Sequence, residues 1–267
     1  MTISDQHGHM LIPTDRLSSR YHAALFHFLA SLSVFALFVG VLLFFWYPSP
    51  YFSASGGWQG LRLVAVVDLV LGPVVTLIVF NLKKSRRELL MDMSVVVFIQ
   101  LAALLWGMVA VYNQRPVAVV FSDTSFYTVP ALAITAQGIA LDTLSELGNE
   151  WPIYAFVQRP DSGAELERFE REVNERQIPP HEQVWLYQPV AENFATIRRS
   201  SVNIEEVMAA NADMRADIES LLNDTGTALE DNYYIALTSR YRNIIVVFDA
   251  QGRILGTVSA PYKSGDV

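Results

Sequence analysis

The sequence predicts a membrane protein of mixed class, three transmembrane helices followed by a C-terminal α+β domain, and three observations carry that prediction. Apolar runs over residues 23–47, 61–82 and 94–113 each reach the ~20 residues that a helix rising 1.5 Å per residue needs to cross a hydrocarbon core. Lys83, Lys84, Arg86 and Arg87 crowd into the connection between the second and third runs, and short loops rich in Lys and Arg stay on the side of synthesis. From Arg115 onward the long runs give way to short β-branched and aromatic segments bounded by turn residues, the pattern of strands in a globular domain.

Composition agrees with a hybrid chain. The 267 residues are 52% hydrophobic yet carry a net charge of -8, too apolar for an ordinary soluble domain and too charged for a bare membrane bundle. Up to residue 114 seven Lys or Arg stand against five Asp or Glu, and beyond it twelve stand against twenty-two. An acidic soluble part argues against nucleic-acid binding, which needs a basic face. With no cysteine, neither a disulfide framework nor a thiolate metal site can form.

Residues 1–22 are polar and read as a loosely ordered cytoplasmic tail. His7 and His9 resemble a metal fragment, but a zinc site needs three or four ligands in fixed geometry. The run over 23–47 ends in Trp46-Tyr47, a pair suited to a membrane interface. It exceeds the h-region of a signal peptide and lacks a small-x-small cleavage site before its WYPSP turn, so it reads as a retained anchor. The connection PSPYFSASGGWQG bears no charge, as expected of a short translocated loop. The topology is then N-in, three spans, C-out, with residues 23–114 as the membrane part and 115–267 as a domain of about 150 residues, large enough to bury its own core.

In that domain, 117–121, 153–158, 233–238, 243–249 and 253–259 read as strands, and 249–252 as a hairpin connection in which Gly252 supplies positive φ. Residues 164–177 and 204–222 have helical periodicity, and Pro179-Pro180 punctuates the chain between them. The expected architecture is a mixed sheet with helices packed on it.

Asp68 is the sharpest chemical feature. A carboxylate about two turns inside a spanning helix costs on the order of 3 kcal/mol and is by default functional, although it could serve packing alone. Equal depth in antiparallel helices places it near Trp106 and Val39, neither a cation. Gln100 reads as nearer the cytoplasmic side, and Arg62 and Arg115, at the outer interface, could reach inward by snorkelling. Gly72-Pro73, one turn on, should kink or open the helix, forming either a docking notch or ordinary transmembrane packing. Arg115-Pro116 either couples the domain to the last span with little slack through the rigid Pro φ or is a plain interfacial Arg anchor. The soluble part has one histidine, His181, and no GxSxG, HExxH or phosphate-binding loop. Its alternating Glu and Arg over 165–176 read as a solvated, ion-paired helix face. No catalytic, cofactor or metal residue is called, and Asp68, Gly72, Pro73, Gln100, Arg115 and Pro116 form the candidate partner-binding set.

The order of parts resembles a known family. It comprises the first span ending in WYP, DLVLGPVVTLIVF with Asp68, Gly72 and Pro73, the KKSRREL loop leading to Asp92, Gln100 in the third span, and YNQRPVAVVF at 112–121. Over residues 20–125 this is similar to the type IV pilin accessory proteins, encoded beside a major pilin in Gram-negative bacteria. The resemblance implies an inner-membrane location, a periplasmic C-terminal domain, no enzymatic activity, and a role in pilus assembly and twitching. It also implies the major pilin as partner, with the alignment machinery and self-association as further contacts. Two other classes stay open: a membrane sensor, with only the N-terminal tail and KKSRRELLMD as output elements, and a pilin-modifying transferase, with only Asp68 and Asp123 suggestively placed.

Overall fold

A computed structural model describes residues 14–81, 83–148 and 151–260, and His7 and His9 lie outside them. The chain divides into two compact units, Met1–Phe44 with Trp58–Val111, and Phe45–Gly57 with Tyr112–Val267.

The first unit holds the membrane helices. Among the described residues three helices are long and apolar enough to cross a membrane: Ser19–Trp46, Gly57–Val79 and Arg86–Asn113. The first helix, α1 (Thr14–Val41), runs on through a π-helical turn, Leu42–Trp46. Residues 14–22, expected to be loosely ordered, are therefore helical; extending an existing helix costs far less than nucleating one. A short helix, α2 (Tyr51–Ala54), precedes the second span, built from α3 (Gly57–Ala65), a π-helical turn (Val66–Leu71) and α4 (Gly72–Val79).

The third span is α5 (Arg86–Asn113). Arg86 and Arg87, expected in the loop, occupy its first turn because Ser85 and Glu88 form a reciprocal cap. The Glu88 N–H donates to Ser85 Oγ at 3.3 Å and the Ser85 N–H donates to Glu88 Oε2 at 2.9 Å, which satisfies two donors of the open helix end.

The second unit is a seven-stranded sheet in the order β4-β3-β1-β2-β5-β6-β7. Its strands are β1 (Pro116–Ser122), β2 (Ser125–Pro130), β3 (Ile153–Val157), β4 (Tyr187–Pro189), β5 (Tyr233–Thr238), β6 (Asn243–Phe248) and β7 (Ile254–Ala260). β1 runs parallel to β3 and β2 parallel to β5, and the other pairs are antiparallel. Strands β2 and β4 are additions to the expected set. The turn into β2 places Asp123 at φ 59 without the Gly that normally announces such a hairpin, and three-residue β4 is too short for any periodicity.

Helices α6 (Ala131–Thr135), α7 (Gly163–Asn174), α8 (Val190–Ile197), α9 (Ile204–Ala210) and α10 (Ala212–Thr225) complete the unit. The single helix expected over 204–222 is two. Asn211 leaves helical geometry and its side chain accepts the Met214 N–H at 2.8 Å, capping α10. The hairpin over 249–252 turns with Gly252 at φ 82. Asp249 Oδ1 accepts from the Gln251 and Arg253 N–H groups at 2.9 and 2.8 Å, and Oδ2 from Arg253 Nε at 2.6 Å.

Both sheet faces are covered. Val119, Phe121, Phe126 and Phe248 pack with Phe194 and Ile197 of α8, while Ala118 and Val120 turn to Ile134, Leu144 and Phe169. Two-sided burial explains why β1 reads as an unbroken apolar run.

The uncharged connection, expected to be a plain loop, is instead part of this core. Tyr51 is 4% exposed and shares a 2.6 Å hydrogen bond with the Tyr154 hydroxyl. The Ala54 carbonyl accepts from Ser239 Oγ at 2.9 Å and from the Tyr241 N–H at 3.0 Å. Gly56, at φ 94, lies so close to the Tyr241 ring that a Cβ would stand 2.7 Å from its edge; only glycine closes this turn.

Candidate functional site

The candidate site grows from the broken second span. Proline lacks an N–H, and its ring collides with the carbonyl four residues back in a regular helix. Ahead of Pro73 the helix widens by one residue, and the Gly72 N–H reaches the Val67 carbonyl, five residues back. The opening expected at Gly72-Pro73 thus takes the form of a π-turn, a feature frequent at functional sites, and Asp68 lies within it.

Glycines set the neighbouring helix. Gln100 occupies the space a Gly72 side chain would need, its Cδ 2.8 Å from where a Cβ would stand. Val111 presses on Gly60 and Val64 on Gly107 in the same way, at 2.9 and 3.3 Å, the small-residue contact by which membrane helices approach closely. This register sets Asp68 level with Leu104, not with Trp106, which is 81% exposed. Gly72→Ala is expected to destabilise the first unit by about 1–3 kcal/mol through overpacking. Adding Gln100→Ala should restore most of that loss in a double-mutant cycle of thermal unfolding in detergent; additive losses would show the two do not compete for space.

α1 supplies the remaining wall. His27 Nδ1 and Thr76 Oγ1 are 2.6 Å apart, and Val34, not Val39, lines the same cavity as Asp68. Together the three spans enclose a cavity of about 470 Å³ whose polar lining is His27, Ser31, Asp68, Thr76 and Gln100. Asp68 is 6% exposed. Among the described residues no hydrogen bond or ion pair ends on its carboxylate, and His27 is the titratable group that acts on it through space. Arg62 is exposed and takes no part in the lining.

His27 and Thr76 escaped the sequence reading. A lone histidine inside the apolar run AALFHFLAS, one turn before Ser31, was the available signal, since a polar side chain at membrane depth calls for a partner.

The model of the fimbrial assembly protein FimB family matches residues 15–56. A fimbrial assembly protein of Dichelobacter nodosus, serogroups C1 and C2, is 40% identical over 121 residues, 45% of this chain and 88% of the relative. The chain belongs to this fimbrial assembly protein family. The fimbrial assembly proteins of serogroups I and E1 from the same organism are 29% and 28% identical over 241 and 247 residues, each match covering 87% of this chain and 91% of the relative. No solved structure matches the chain. These relatives make the type IV pilin accessory resemblance one of family.

In this fimbrial assembly protein the matched stretch 15–56 carries His27 and Ser31 on α1 and the buried Tyr51. The structure brings Asp68, Gly72, Pro73 and Gln100 together in one unit and places Arg115 and Pro116 in the other. Arg115 Nη1 donates to the Tyr112 carbonyl at 2.7 Å, and its guanidinium lies 3.6 Å from the Tyr112 ring centroid. Pro116 is buried as the first residue of β1.

The soluble domain uses its conspicuous polar groups internally. The His181 ring stacks on Tyr127 with centroids 4.5 Å apart. Burial holds its imidazole down to about 4 against the opposing pull of Asp123, and its carbonyl accepts the Tyr187 hydroxyl at 2.6 Å. Glu172 and Arg176 pair along α7 at 2.9 Å. Among the described residues, no three His, Cys, Asp or Glu could jointly hold a metal ion.

Proposed function

We propose that this fimbrial assembly protein is a non-enzymatic accessory of type IV pili that acts in the bacterial inner membrane by receiving the apolar helix of its cognate major pilin. The observation that carries this reading is the cavity itself. Its polar groups lie inside the membrane part, while Phe26, Val97 and Leu101 on its rim are 76%, 47% and 52% exposed. Such an exposed apolar rim supports a transmembrane helix seated against the cavity from the bilayer side. Membership in a family of fimbrial assembly proteins supplies the biological direction.

The same reading carries a topology. Residues 45–57 and the C-terminal domain form one unit, which supports placing the first connection and the domain on one side of the membrane. The basic turn at Lys83 and Lys84 lies on the other side, which charge assigns to the cytoplasm. The N-terminus is then cytoplasmic and the acidic sheet domain periplasmic, where it can meet the pilin head or the alignment machinery.

A photo-crosslinking residue at Val97 or Leu101, incorporated in piliated cells, is expected to yield an adduct with the major pilin identifiable by mass spectrometry. The same residue at exposed Trp106 should yield none. Adducts solely with a second copy of the chain or with signalling proteins would replace this reading with that of a membrane regulator.

A further inference from the structure

We propose that the membrane cavity recognises a transmembrane helix bearing a protonated amine well inside its span, with Asp68 as the counter-charge. This rests on the preceding reading only in taking the occupant to be a helix. Asp68 stands eleven residues from either end of the Gly57–Val79 helix and about two turns past Arg62, so its carboxyl lies well inside the span. There a carboxylate is costly and is normally paired, yet no described residue bonds it.

The remaining polar lining is already committed or uncharged. His27, the other titratable group of the lining, is held to Thr76 through Nδ1 and makes no hydrogen bond or ion pair with Asp68 among the described residues, and Gln100 is seated against Gly72. At about 470 Å³ the cavity is the size of a small-ligand pocket, too small for a helix yet large enough for a long side chain projecting from one. The exposed apolar rim of Phe26, Val97 and Leu101 gives the body of such a helix its seat, and Ala23 and Ala30 in the α1 wall permit close approach. An apolar helix with one amine directed inward matches every part of this surface: apolar against the rim, cationic against Asp68.

The test uses the full-length chain in phosphatidylcholine vesicles and two fluorescent synthetic helices of about 20 leucines, one with a central lysine and one without. Energy transfer to the protein is expected to show the lysine helix binding about tenfold more tightly, a difference of about 1.4 kcal/mol. Asp68→Glu should keep the preference, Asp68→Asn should reduce it below about twofold, and Asp68→Lys should abolish it. Equal binding of both helices to the parent, or a preference that survives Asp68→Asn, overturns the inference. Because the probe is not pilin, that failure leaves the pilin reading to its crosslinking test, and a missing pilin adduct leaves this result standing.

Discussion

Cells in which Asp68 is replaced by leucine are expected to lose surface pili while keeping normal amounts of the protein in the membrane. The two halves of this expectation have separate physical grounds. Leucine about two turns inside a span removes an insertion penalty of about 3 kcal/mol, so the variant should insert and fold at least as well as the parent. No hydrogen bond or ion pair within the described residues is lost with the carboxylate, so packing alone gives no reason for failure. What disappears is the carboxyl group of the cavity, whose other polar lining is His27, Ser31, Thr76 and Gln100, and with it the differential affinity for a polar group on a partner helix. Immunoblots of membrane fractions and counts of surface pili read the two halves independently. Normal piliation in Asp68→Leu would reduce the acid to a packing role; depleted protein would show that the carboxylate serves folding.

The second large effect is expected at Tyr51, far along the chain from the domain it completes. Tyr51→Ala should destabilise the sheet domain by about 3–5 kcal/mol, the usual cost of removing a buried aromatic ring. Part of that loss is the hydroxyl of Tyr154, left buried without its 2.6 Å partner, a defect of about 1–3 kcal/mol on its own. For a domain of this size the loss corresponds to a fall of roughly 10 °C in Tm. Tyr51→Phe retains the ring and should lose only about 1 kcal/mol. Near-UV circular dichroism of the detergent-solubilised protein during heating measures both. A Tyr51→Ala variant as stable as the parent would return residues 48–56 to the status of a passive connection.

Much of this architecture is legible from local pattern. An apolar run of bilayer length announces a span wherever it folds, because only a helix satisfies its own backbone in lipid, and the three runs did so. β-Branched and aromatic runs bounded by turn residues marked β1, β3, β5, β6 and β7, and Asp249 with Gly252 marked the turn between the last two. Where local signals were weak the reading failed in instructive ways. β2 follows a turn without glycine, β4 is three residues long, and Asn211 interrupts an apolar periodicity that passes through it unbroken. At the site, Asp68, Gly72 and Pro73 were conspicuous because each violates the rules of a spanning helix. His27 violates them as well, but its significance depends on Thr76, 49 residues away.

The sequence by itself determined that the chain has three apolar helices, a basic connection between the last two, an intramembrane acid, and an acidic α+β domain. These are properties of composition, length and period, which act within a few neighbouring residues. Only the tertiary structure decided that His27, Thr76 and Gln100 share a cavity with Asp68. It alone decided that Tyr51 and Ala54 belong to the core of a domain beginning some sixty residues later, and that β1 lies between β2 and β3. Each of these is a contact between segments distant in the chain, chosen by which buried surfaces and polar groups satisfy one another when the whole polypeptide is packed, and no local period encodes it.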